Sequence, residues 1–88
     1  MTLTEIIAGR IYSLCKAKGI GINKLASMSG VPQSTLNSIM HLKMKSPKLS
    51  TLMQVANGLN MTIVEFLDIP EIEFFSFDEP SSSERTDP

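Results

Sequence analysis

Ile7, Ile11, Leu14 and Cys15 recur at i, i+4, i+7 and i+8, which is one apolar stripe of an α-helix. Just upstream, Thr2-Leu3-Thr4-Glu5 fits a capping box, with Thr2 as N-cap and Glu5 three residues on. Lys16 and Lys18 suit the negative end of the helix dipole, and Gly19 suits the left-handed position beyond the last turn. The spacing predicts a first helix over 3–18.

The same period continues. Ile22, Leu25 and Ala26 mark a short second helix that stops at Ser29-Gly30. Pro32 opens a third helix at its first position, where the fixed φ is helical and the missing N–H costs nothing. Leu36, Ile39 and Met40 share its inner face, while Gln33, Ser34, Asn37, Ser38 and His41 lie on the other. Pro47 ends the pattern. A fourth helix from about Ser50 is expected to bury Leu49, Leu52, Val55, Ala56 and Leu59, with Asn60 in a left-handed C-cap. Thr62 starts a fifth, with Ile63, Phe66 and Leu67 inward. No alternating pattern of a β-strand competes in this stretch, so the fold class is all-α.

Beyond Asp68-Ile69-Pro70 the texture changes. Residues 71–77 are acidic and aromatic; the Phe74-Phe75-Phe77 cluster either packs back onto the domain or serves an interface. Residues 80–88 are Ser, Pro and charge, a composition expected to be disordered. The division that follows is a helical domain over 1–69 and an acidic tail over 70–88.

Length sharpens the picture: 88 residues leave room for one small core. The single cysteine, Cys15, has no internal disulfide partner, and the single histidine, His41, has no metal-ligand companions at useful spacing. Cys15 and the methionines read as core or loop filler. No apolar run approaches the roughly 18 residues of a membrane span. No paired carboxylates, nucleophile–base pair or phosphate-cradling glycine loop gives catalysis a foothold. A non-enzymatic, intracellular domain without cofactor or metal is expected.

The net charge of −1 conceals a split. Residues 1–68 carry Arg10, Lys16, Lys18, Lys24, Lys43, Lys45 and Lys48 against Glu5, Glu65 and Asp68, a net +4. Residues 69–88 carry Arg85 against six carboxylates, a net −5. A basic working surface followed by an acidic tail fits this asymmetry.

The segment from Ile22 to Ile39 holds two short helices joined at a tight turn. Ala26 is small where a second helix crosses close above it, and Gly30 can take the positive φ of the turn. Val31, Leu36 and Ile39 clamp the third helix inward, leaving amides and hydroxyls outside. Gln and Asn suit bidentate contact with adenine, and Ser reads edges or phosphates.

This segment resembles the helix-turn-helix of the Cro/phage-repressor (XRE) type, a compact five-helix, lambda-repressor-like fold. The resemblance extends over residues 4–68. It includes Leu25-Ala26, Gly30-Val31, Ser34-Thr35-Leu36, Pro47, Ser50-Thr51-Leu52, Ala56-Asn57-Gly58-Leu59-Asn60-Met61 and Glu65-Phe66-Leu67. It implies sequence-specific binding of double-stranded DNA by a transcriptional regulator, most simply a repressor, of bacterial, phage or mobile-element type. Helix three, about 32–41, would enter the major groove.

By position, the resemblance implies base reading by Gln33, Ser34, Asn37 and Ser38. It implies phosphate contacts by Lys24, Thr35, His41, Lys43 and Lys45, with no small-molecule ligand. A homodimer in the cytoplasm is implied as well, with the surface after the fourth helix, Ile63, Phe66 and the Phe74-Phe75-Phe77 cluster as its candidate interface. The second reading from the residues is a helix-turn-helix kept as a protein-interaction module, docking through residues 74–79.

Three departures from the family pattern stand out. Ile22 replaces a phosphate-binding Gln at the start of helix two, Pro32 replaces a Ser or Thr cap, and Leu42 replaces a glycine after helix three. A fourth is a coupled pair. Cys15 and Met40 occupy positions where many family members carry an internal Arg–Glu ion pair. Replacing both partners avoids stranding a buried charge, so the two apolar side chains are expected to touch.

Overall fold

A computed structural model of the chain describes residues 1–77. They form α1 (Leu3–Lys18), α2 (Ile22–Ser29), α3 (Gln33–Met40), α4 (Leu49–Gly58), α5 (Ile63–Leu67) and α6 (Pro70–Glu73). No strand occurs among the described residues, in agreement with the all-α reading.

Each boundary has a local cause. The Thr2 hydroxyl accepts from the Glu5 N–H at 3.1 Å, and the Glu5 carboxylate accepts from the Thr2 N–H at 2.6 Å, completing the capping box. Thr62 and Glu65 repeat it at the start of α5, at 3.0 and 2.8 Å. Gly19, with φ 67°, ends α1, and the Gly19 and Ile20 N–H groups bond back to the Lys16 and Cys15 carbonyls. This double return satisfies carbonyls that the helix leaves open. Asn60, with φ 64°, does the same after α4, its own and the Met61 N–H reaching the Asn57 and Ala56 carbonyls.

One core unites the helices. Ile7, Ile11 and Cys15 of α1, Leu25 of α2, Leu36 and Ile39 of α3, Leu52, Val55 and Ala56 of α4, and Phe66 of α5 are buried together. Burying each of the large aliphatic side chains stabilises the fold by about 1.5–3 kcal/mol. Arg10 ties α1 to the end of α5: its Nε and Nη2 donate to the Phe66 and Glu65 carbonyls at 2.8 and 2.9 Å. A cation on the last carbonyls of a helix also complements its dipole.

Several expectations need correction. The described residues form six helices where five were expected: Pro70 starts α6, which packs on α1 and half-buries Ile72. Residues 70–73 therefore fold against the helical domain, while the stretch 80–88 lies outside the described residues. Pro32 is the N-cap of α3, one position before the helix proper. Leu49 is 60% exposed at the first turn of α4, so it is not a core residue. Met40, Met44 and Met61 pack on the core, but Met28 and Met53 lie on the surface. Phe66 is fully buried and Ile63 half-buried, so neither offers an interface; Val64, Phe74 and Phe77 are the exposed apolar side chains there.

Candidate nucleic-acid interface

The turn between α2 and α3 is built by Ser29 and Gly30. The Ser29 hydroxyl donates to the Leu25 carbonyl at 2.7 Å and accepts from the Val31 N–H at 3.3 Å. Gly30 takes φ 75°, which an L side chain adopts only with strain. Val31, Leu36 and Ile39 are buried beyond it and pin α3 by one face.

The opposite face carries the residues expected to read DNA. Gln33, Ser34 and Asn37 are exposed, and Thr35 and Ser38 are half-buried on its flanks. Gln33 is bonded to the neighbouring helix: its Nε2 donates to Asn23 Oδ1 of α2 at 2.7 Å. The pair leaves Gln33 Oε1 and one Nε2 hydrogen for an outside partner. Asn23 is not among the residues the sequence pattern singles out, and no local signal marks it. Ile22, beside it, packs on the core.

Neither α2 nor α3 has a side-chain N-cap hydrogen bond, and neither has an acidic residue in its first turn. Both helices thus present open N–H groups with the positive end of their dipoles.

The loop after α3 is held in two ways. Leu42 takes φ 59°, and its own and the Lys43 N–H return to the Ile39 and Ser38 carbonyls at 3.0 and 2.8 Å. The left-handed cap that glycine usually supplies is therefore kept here by a leucine. Further on, the buried Thr4 hydroxyl of α1 is shared between the Met44 and Lys45 carbonyls, at 3.0 and 2.6 Å. Thr4 is a second residue the pattern does not single out, since its partners lie about forty positions away. His41, Lys43 and Lys45 are exposed on this tethered loop, and His41 Nδ1 bonds to the Asn37 carbonyl at 3.0 Å. Lys24 is exposed on α2.

The electrostatics are one-sided. Residues 6–64 contain no aspartate or glutamate, while they hold Arg10 and all six lysines of the described residues. No carboxylate among the described residues pairs with those lysines. Arg10 is engaged by α5, so the free positive charge is the lysines.

Cys15 and Met40 line one cleft of about 320 Å³ with Tyr12, Ile20 and Ile22. Lys16 Nζ stands 6.0 Å over the Tyr12 ring at its edge. Burial pushes the Cys15 thiol above its ordinary pKa, so it is a core group and not an activated one. No cluster of three metal-ligating side chains occurs among the described residues, and no described helix is long and apolar enough to cross a membrane.

A helix pinned by one face, with amides and hydroxyls on the other and lysines beside it, defines a helix-turn-helix of the DNA-binding class. The chain matches the Cro/C1-type HTH DNA-binding domain over residues 10–71, and it belongs to that family. Among solved structures it is similar to the crystal structure of the prophage Lp1 protein 11, with 26% identity and a TM-score of 0.74. That match covers 82% of this chain and 96% of the other. No curated protein sequence matches this chain significantly. The family is one of DNA-binding domains.

Proposed function

We propose that the chain is a sequence-specific repressor of transcription, of phage or mobile-element type, that inserts α3 into the major groove of duplex DNA. The observation that carries this reading is the exposed Gln33-Ser34-Asn37 face, flanked by lysines in a stretch of 59 residues without a carboxylate. The similarity to a prophage protein supports the source class.

Gln33 and Asn37 read base edges, with Ser34 and Ser38 completing the set at the groove. Each bidentate amide–base pair is worth about 1–3 kcal/mol of discrimination. Lys24, Lys43 and Lys45 neutralise phosphates, and Thr35 and His41 add polar contacts to the backbone; these set register and salt dependence. The open N-termini of α2 and α3 favour phosphate in the same way.

Two copies would read half-sites one helical turn apart, roughly 34 Å. Val64, Phe74 and Phe77, about three-quarters exposed each, are the apolar side chains available for such a homodimer. Selection from random duplex DNA at near-physiological salt tests the reading. An enriched site supports it. Absence of enrichment at concentrations where the chain is folded contradicts it and favours a protein-interaction module docking through the exposed phenylalanines.

A further inference from the structure

We propose that the cleft between α1, the start of α2 and the end of α3 is a binding site for a small monocarboxylate with an apolar body. The family resemblance alone implies no small-molecule ligand. None of the lining residues belongs to the exposed Gln33-Ser34-Asn37 face, so the site stands independently of the DNA-binding reading.

Size and walls set the body of the ligand. Cys15 of α1, Ile20 of the turn, Ile22 of α2 and Met40 of α3 wall a space of about 320 Å³. Tyr12, 60% exposed, adds an aromatic ring at its edge. At roughly 30 Å³ for each non-hydrogen atom, the share of a water molecule in the liquid, such a space holds about ten. One turn of a helix, about 10 Å wide and 5.4 Å long, needs more than that. The occupant is therefore a small molecule, and apolar side chains from three helices favour an apolar body.

Charge sets its head. Lys16 is the one charged residue lining the cleft, and no carboxylate lines it. Residues 6–64 contain none to neutralise that lysine locally. Gly21, the N-cap of α2, also lines the cleft and leaves the first N–H groups of this eight-residue helix without a side-chain cap. The opposing helix end is already satisfied, because the Cys15 and Lys16 carbonyls accept from the Ile20 and Gly19 N–H groups. The field in the cleft is thus positive, and it suits a single negative charge. One lysine beside apolar walls matches a carboxylate better than a doubly charged phosphate, whose hydration is costlier to remove.

The buried thiol supplies a second, independent sign of a ligand. Cys15 is only 5% exposed, lines the cleft and makes no hydrogen bond. Burial keeps it protonated, so it is a weak donor without an acceptor and adds no negative charge. A carboxylate oxygen in the cleft would give that donor an acceptor.

The test titrates the full chain near pH 7 with octanoate, which has ten non-hydrogen atoms, while following methyl NMR signals. Neutral octanamide and inorganic phosphate serve as probes of the body alone and the charge alone. Octanoate is expected to shift the Ile20, Ile22 and Met40 methyls with a Kd of about 1 mM or tighter. Octanamide should bind about fivefold or more weakly, and phosphate should leave these methyls unmoved.

Two variants separate the site from the fold. Lys16→Gln removes the exposed charge and should weaken octanoate about fivefold. Gly21→Asp puts a carboxylate at the N-cap, where the backbone is extended at φ −99° and ψ 178° and an added β-carbon meets nothing within 4 Å. Aspartate is a favoured cap, so the thermal midpoint should not fall, yet octanoate should bind about tenfold or more weakly.

Unmoved methyls at about 10 mM octanoate, well above the expected Kd, overturn the proposal. Equal binding of octanamide overturns it too, because the cleft is then a pocket for an uncharged apolar group. Undiminished octanoate binding by a folded Gly21→Asp variant also overturns it.

Discussion

Gly58 of α4 lies so close to Ser29 of α2 that a β-carbon on it would stand 2.7 Å from the Ser29 Cα and Cβ and 2.9 Å from its N. Ser29 is the residue whose hydroxyl shapes the turn into α3. The approach of α4 therefore sets the turn, and the turn aims α3. Gly58→Ala has backbone and not a flexible chain end to displace, so it should destabilise by about 1–3 kcal/mol. A urea midpoint equal to that of the wild type would contradict this close approach.

Leu42 presents the opposite case. It holds a left-handed cap at φ 59° with both return hydrogen bonds made, a conformation costing an L residue roughly 1–2 kcal/mol. Glycine adopts it freely but loses more entropy on folding. Leu42→Gly should therefore stabilise the chain by about 0.5–1 kcal/mol, and Leu42→Val should destabilise it. Thermal unfolding of the two variants decides the matter, with a lowered midpoint for the glycine variant as the contrary result.

Thr4 couples stability to function. Thr4→Val keeps the shape but removes the hydroxyl that reaches the Met44 and Lys45 carbonyls, at a cost of about 1–3 kcal/mol. The lysine loop should loosen, so affinity for duplex DNA should fall while base preference is retained. A variant that binds as tightly as the wild type would show that the tether does not position the lysines.

Cys15 should make stability depend on alkaline pH. Its folded-state pKa is raised by burial from the ordinary value of 9.0, so the native state holds the thiol proton longer than the unfolded state does. Stability from this group is complete below the unfolded pKa and is lost as pH rises through the folded one. The wild type should lose stability above about pH 9 more steeply than Cys15→Ala, and parallel pH profiles would refute the assignment.

The local signals of the sequence carried most of the fold. Capping boxes, left-handed caps and the 3.6-residue period are written in neighbouring residues, so α1, the turn at Gly30 and the cap at Asn60 could be read directly. The long-range hydrogen bonds could not. Arg10 to α5, Thr4 to the lysine loop and Asn23 to Gln33 join residues from 10 to 56 positions apart, and nothing in each residue's vicinity announces its partner. The short α6 was hidden because an acidic, aromatic stretch after a proline has too few residues to show a period. Leu49 was misplaced because an apolar residue at a helix start fits the stripe by spacing yet lies at its exposed end. Leu42 marks a departure in residue type only, since the backbone keeps the geometry that glycine would have had.

The central claim is that α3 reads base edges through a Gln33 held by Asn23. Wild type and Gln33→Ala should be titrated against the selected duplex and its single-base variants at near-physiological salt. Loss of about 1–3 kcal/mol, confined to a relaxed preference at one base position, is the expected result. Unchanged affinity and unchanged preference in Gln33→Ala would contradict it.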